Sequence, residues 1–209
     1  MEWIISYLGI GSVISVAVIG AIRFRSLSRE MKVLLFFFII DASLTIFQLV
    51  LAILHTNNLW SEYIYILIEY GFFMWFFSQW IPSPPWKRAI LISIPLFVML
   101  LFVSLLTIED LAGFSQFVQP LKSLLFIIVS ISVISITMRD LSQPILVQPQ
   151  FWISAGALIY NAGNITLSIF ASRILGISKP VLIHMWMVHN VVAIGTYFLY
   201  AGGFLYQRR

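Results

Sequence analysis

The chain has 209 residues, of which 61% are hydrophobic and 10% charged, and it contains no cysteine. That charge content excludes a soluble domain, where about a quarter of residues are charged. The missing thiols exclude disulfides, thiolate chemistry and Cys-ligated metals. The net charge of +4 is distributed among loops rather than gathered on one face, so nucleic acid is not an expected partner.

A bilayer-spanning helix needs about 20 mostly apolar residues. Seven segments qualify: 3–22, 33–54, 61–81, 88–107, 119–138, 151–172 and 181–205. The expected fold is therefore an all-α membrane protein, a single seven-helix transmembrane domain over 1–209. The first apolar run begins at Trp3, is too long for a signal-peptide core and lacks a basic flank, so it reads as a retained span. Arg23, Arg25, Arg29, Lys32, Lys87, Arg88, Arg139, Arg208 and Arg209 fall on one side; Lys122, Arg173 and Lys179 fall on the other. Cytoplasmic loops carry the excess of Lys and Arg, which predicts an outside N-terminus and a cytoplasmic C-terminus.

Taken in order, span 1 leads into the basic loop IRFRSLSREMK. Span 2 places Asp41 near mid-membrane, with Thr45 and Gln48 on the same helical face at i+4 and i+7. In span 3, Glu62, Tyr65 and Glu69 share a stripe, and the loop PSPPWKR reads as a proline-rich break. Span 4 is nearly all apolar, and Pro95 is expected to kink it. In span 5, Ser130, Ser132 and Ser135 offer small residues for close helix packing. Spans 6 and 7 carry Tyr160, Asn161, Asn164, His184, His189 and Asn190.

Asp41, Glu69, Asn161, Asn164, His189 and Asn190 all fall in the middle or outer half of the membrane. Spans 1, 4 and 5 contribute no ionisable residue at that depth. A charged Asp at a helix centre costs roughly 2.5–3.5 kcal/mol on insertion scales. The economical arrangement is a hydrogen-bonded cluster in which His189 favours the charged carboxylates, in a cavity open to the outside. Candidate ligand-binding residues are Asp41, Gln48, Glu69, Tyr160, Asn161, Asn164, His189 and Asn190. Helix–helix glue is the competing reading for Asn161, Asn164 and Ser168. His55 and His184 read as interfacial.

Several sharper motifs fail. His184 and His189 are five apart and form no i, i+4 metal pair, so no metal or other cofactor is expected. The lysines at 32, 87, 122 and 179 lie in loops or at span ends, which excludes a retinal Schiff base in the last helix. The sequon Asn164-Ile165-Thr166 falls inside span 6 and reads as chance.

An internal repeat is visible in outline. A shift of 120 residues lays Asp41 and Glu69 on Asn161 and His189, and Ser12-Val13-Ile14-Ser15 on the identical Ser132-Val133-Ile134-Ser135. Spans 1–3 would then repeat in parallel as spans 5–7, with span 4 as connector.

Three stretches carry a resemblance. They are Asn58-Leu59-Trp60 with Tyr63, Tyr65 and Ile68-Glu69; Phe151-Trp152-Ile153-Ser154 with Gly156, Leu158-Ile159-Tyr160 and Ala162-Gly163-Asn164; and His189-Asn190 ahead of Tyr200-Ala201-Gly202. Together these resemble a group of small seven-span inner-membrane proteins of Bacteroidetes-type bacteria that act beside sensor kinases. The resemblance covers spans 2–3 and 6–7, about half of the chain, and implies a sensor-kinase or other membrane partner. It brings no ligand or catalytic residue to transfer. The 3+1+3 layout would also look like small sugar transporters, although their proline-containing motifs are not evident.

The functional expectation is a receptor-like sensory protein that binds a small molecule or proton and signals to a partner. A small-solute transporter is the alternative, and a lipid-acting intramembrane enzyme using Asp41, Glu69 and His189 as metal ligands or acid–base groups is the third.

Overall fold

The computed structural model describes residues 2–207 except 112, 114, 141 and 175–178; side chains at 2–4, 6, 169–174, 179–180 and 182–183 are not described either. Arg208 and Arg209, counted above in the charge bias, lie outside the described residues. The described residues hold helices and no strand. Among them seven α-helices follow one another: α1 (Glu2–Ile22), α2 (Arg29–Ile53), α3 (Trp60–Trp80), α4 (Pro84–Thr107), α5 (Val118–Arg139), α6 (Pro149–Ile174) and α7 (Lys179–Tyr206). Single 3-10 turns at Phe24–Ser26 and Ile145–Val147 precede α2 and α6.

The helix ends have local causes. Ser28 caps α2, its side-chain oxygen accepting from the Met31 N–H at 3.3 Å, so the helix starts four residues before the apolar run. The proline-rich loop is shorter than the sequence reading has it, because Pro84 and Pro85 open α4 rather than break the chain. Proline suits a first helical turn, where its missing N–H has no partner to lose. At the far end of α2, His55 takes a left-handed φ of 55° while the Thr56 N–H reaches back to the Leu51 carbonyl at 3.0 Å. This is a six-to-one helix stop with histidine where glycine is usual.

Short connections put successive helices antiparallel, with the α2–α3 and α4–α5 connections at one end of the bundle. Helices α1, α2, α3, α5, α6 and α7 pack in a closed ring, α1 against α7 and α3 directly against α5. Helix α4 stands outside this ring, mainly on α3. There Tyr70 stacks on Phe97 at 3.9 Å and donates to the Ser93 hydroxyl at 2.8 Å.

The half of the bundle away from the α2–α3 connection is filled by aromatic rings. Phe37 meets Phe73 edge-on at 5.1 Å, Phe73 lies 5.5 Å from Phe126, and Phe38 lies 5.1 Å from Tyr200. Between α6 and α7 the backbones approach closely: a Cβ at Gly156 would sit 2.7 Å from the Tyr200 ring. The outer surface is apolar instead, with Leu106 86% and Phe198 70% exposed, while Asp41, Glu69, Lys122, Asn161 and Asn164 are buried. Among the described residues, four helical stretches are long and apolar enough to cross a membrane: α2, α4, α5 and the His184–Tyr206 part of α7.

Candidate functional site

A cavity of about 640 Å³ opens at the end of the bundle that carries the α2–α3 and α4–α5 connections. Three of the lining residues, Asp41, Thr45 and Gln48, come from α2, where the i, i+4, i+7 spacing turns them to one side. Helix α6 contributes Tyr160 and Asn164, and α7 contributes His189 and Asn190. The structure thus brings together six of the candidate residues, on three helices that are distant in sequence. Such a volume is within the range of small-molecule sites, roughly 300–1,000 Å³.

The two other candidates sit differently. Glu69 lies below the cavity, beside a narrow space shared with Asp41, Tyr65, Tyr160 and Tyr197. Asn161 does not line the cavity; its amide donates to the Ala157 carbonyl at 2.9 Å within α6, and its Oδ1 has no partner. Its helix neighbours turn it into the packed interior, where it acts as a local polar contact.

The carboxylates are not paired as the sequence reading expects. Glu69 forms an ion pair with the Lys122 ammonium, and both side chains are fully withdrawn from solvent. The sequence reading gives span 5 no ionisable residue at the depth of Glu69; Lys122, near the start of α5 but fully buried against Glu69, overturns that. Lys122 lies on the inward face of α5, with its ammonium 5.7 Å from the Tyr65 ring centre and 5.8 Å from that of Phe126. A buried charge needs a partner of opposite sign, and Glu69 across the α3–α5 contact supplies it. Asp41 is held separately: the Tyr197 hydroxyl donates to its Oδ2 at 2.9 Å.

His189 pairs with neither carboxylate. Its ring stands between aromatic neighbours, 5.7 Å from Tyr160 and 5.3 Å from Trp186. Among the described residues no three His, Cys, Asp or Glu side chains gather closely enough to hold a metal ion. The ligand set imagined for a metal-dependent intramembrane enzyme is therefore not assembled among them.

Two polar clasps shape the rim. In the first, the Gln48 amide donates to the Ser61 hydroxyl (3.0 Å), Ser61 donates to the Asn58 carbonyl (2.5 Å), and the Asn58 amide donates to the Gln48 carbonyl (3.3 Å). This loop of bonds ties the end of α2 to the start of α3. In the second, Glu109 accepts from the Phe117 and Val118 N–H groups at 2.8 and 3.0 Å, and from the Tyr63 hydroxyl at 2.8 Å. It therefore caps α5 from eight residues upstream while holding α3. Partial burial pushes the Glu109 carboxyl upward, but these N–H and O–H donors outweigh it and hold the group below its ordinary range.

Site members outside the candidate list include Lys122, Tyr197, Gln119, Trp186, Glu62 and Tyr65. The seven-residue step from Asn190 to Tyr197 and the three-residue step from Trp186 to His189 are the helical spacings that could have found two of them. No family model, curated protein or solved structure matches this chain.

Proposed function

We propose that the chain is a receptor-like sensory protein of the bacterial inner membrane, crossing it seven times with the N-terminus outside. It takes a small ligand into the cavity between α2, α3, α6 and α7 and passes a helix displacement to a cytoplasmic partner, of which a sensor kinase is the leading case. The observation that carries this reading is a polar cavity open at one end of the bundle and closed at the other by rings of Phe73, Phe126 and Tyr200. The nine-to-three distribution of basic residues supports an outward-facing mouth. Binding at Asp41 would compete with Tyr197, and a change at the Tyr197–Asp41 bond moves α7 relative to α2. Both helices run to the cytoplasmic end, where a partner contacts them.

The second reading, a transporter, is favoured by a separate observation. Shifting the chain by 120 residues lays Arg29, the start of α2, on Pro149, the start of α6, and brings the two 3-10 turns within one residue of each other. The α1–α2, α2–α3 and α3–α5 contacts then map onto α5–α6, α6–α7 and α7–α1. Two three-helix halves around a central cavity, with α4 as connector, is a transporter-like plan.

Single cysteines introduced into the cysteine-free chain test both readings with a membrane-impermeant maleimide. Asn57→Cys is expected to label in intact cells and Ser142→Cys only after permeabilisation; the reverse pattern would overturn the orientation. Phe77→Cys, in the closed half, is expected to stay protected from the cytoplasmic side. Labelling there that rises with solute would replace the receptor by the transporter.

A further inference from the structure

We propose that the cavity is built for a small organic amine bound as its ammonium ion. The assignment rests on the ligand-binding reading above and names the class of ligand.

Charge comes first. Asp41 and Glu62 line the cavity, and no Lys or Arg does so among the described residues. The nearest ammonium, Lys122, is engaged by Glu69. One cation thus serves three carboxylates at neighbouring positions. Carboxylates facing a cavity inside an apolar bundle are costly to leave uncompensated. An anionic ligand would add to that cost, and a neutral polyol would leave it in place. A cation removes it.

Wall chemistry points the same way. Tyr65, Tyr160 and Trp186 line the same cavity as Asp41 and Glu62. Aromatic faces attract ammonium groups, more strongly where water is excluded. The buried Gln119 side chain lines the cavity, and its Oε1 has no hydrogen-bond partner. An ammonium N–H completes that acceptor. Buried polar groups are seldom left unpaired, so this atom marks where a ligand donor belongs.

Two other cations fit less well. A divalent metal needs a cluster of ligands that does not assemble among the described residues. A bare proton neutralises a carboxylate but leaves about 640 Å³ and the Gln119 acceptor unanswered.

The test uses Thr45→Cys, a small change at the cavity wall, with Asn190→Cys in parallel on the opposite wall. Each purified variant is reacted with cationic trimethylammonioethyl methanethiosulfonate and with its anionic sulfonatoethyl counterpart. Rates are normalised to those of a free thiol. The cationic reagent is expected to lead by about tenfold, as in a charged cleft that concentrates counter-ions, and Glu62→Gln should shrink that lead. Phenethylammonium should slow the labelling, whereas 2-phenylethanol at the same concentration should not. Equal rates for both reagents, or equal protection by the neutral alcohol, would overturn the ammonium assignment and leave an open cavity standing. Silence from both reagents at both cysteines would overturn the cavity reading itself, and the assignment with it.

Discussion

Glu69 on α3 and Lys122 on α5 form an ion pair from which solvent is excluded on both sides. The pair crosses a helix contact that bypasses α4, so it locks the two halves of the bundle together beneath the cavity. Removing one partner strands the other's charge, at a cost of about 3–5 kcal/mol. Glu69→Gln and Lys122→Met are each expected to lower the unfolding midpoint strongly. The double variant should recover much of the loss, as read in a double-mutant cycle of denaturant unfolding in detergent. Additive losses would show that the two side chains are not coupled.

The Tyr197 hydroxyl is the hydrogen-bond donor recorded on Asp41. Tyr197→Phe leaves a buried carboxylate short of a donor and should cost about 1–3 kcal/mol. Asp41→Asn keeps a carbonyl oxygen for Tyr197 and should be milder. Thermal unfolding of the two variants side by side checks the order. If Asp41→Asn proves the more damaging, the charge on Asp41 has a partner other than Tyr197.

Glu109 gives the fold an acid limit at the rim of the cavity. Its carboxyl is held below the ordinary carboxylate range in the folded chain by the donors at the start of α5. Its contribution is therefore complete above the unfolded value, about 4.3, and fades as pH falls through the lower folded value. Glu109→Gln should remove this part of the acid dependence and cost about 1 kcal/mol at neutral pH, the size of a lost helix cap. Unfolding midpoints between pH 7 and pH 3 measure both effects. An unchanged acid limb in the variant would assign it to other groups.

His55 and Gly156 make a contrast in backbone fit. His55 holds a left-handed φ at the stop of α2 and is exposed. His55→Gly should raise stability by up to about 1 kcal/mol, because glycine takes that conformation without steric penalty. Gly156→Ala instead drives a Cβ into the Tyr200 ring and should cost about 1–3 kcal/mol. Gly71, where a Cβ meets nothing within 4 Å, supplies the control: Gly71→Ala should be neutral or stabilising. Chemical denaturation of the three variants ranks them. A harmless Gly156→Ala would mean that α6 and α7 have room to separate.

Much of the helix framework was legible in the chain because the signal for it is local. Apolar runs of sufficient length, ended by Ser28, the prolines at 84 and 85 and polar loops, define α2 to α7 to within a few residues of the expected limits. The grouping of Asp41, Thr45 and Gln48 followed from helical period alone, and so did the step from Tyr160 to Asn164. Asn161, one position away from Tyr160, shows the limit of that signal: neighbouring polar residues on one helix face different surroundings, and only packing says which one meets the cavity.

Tertiary structure alone decided the pairing. Lys122, in the second turn of α5, has the sequence context of an interfacial lysine. Its true environment depends on α5 lying against α3 rather than behind α4, a contact between residues 53 positions apart. Hydropathy measures how apolar a segment is and period tells which residues share a face, but neither says which face meets which. From the chain by itself come seven helices and a polar stripe. That Glu69 answers Lys122, that Asp41 is held by Tyr197, and that a cavity remains between them follow from the closure of the ring, where each buried charge settles on the partner the packing brings within reach.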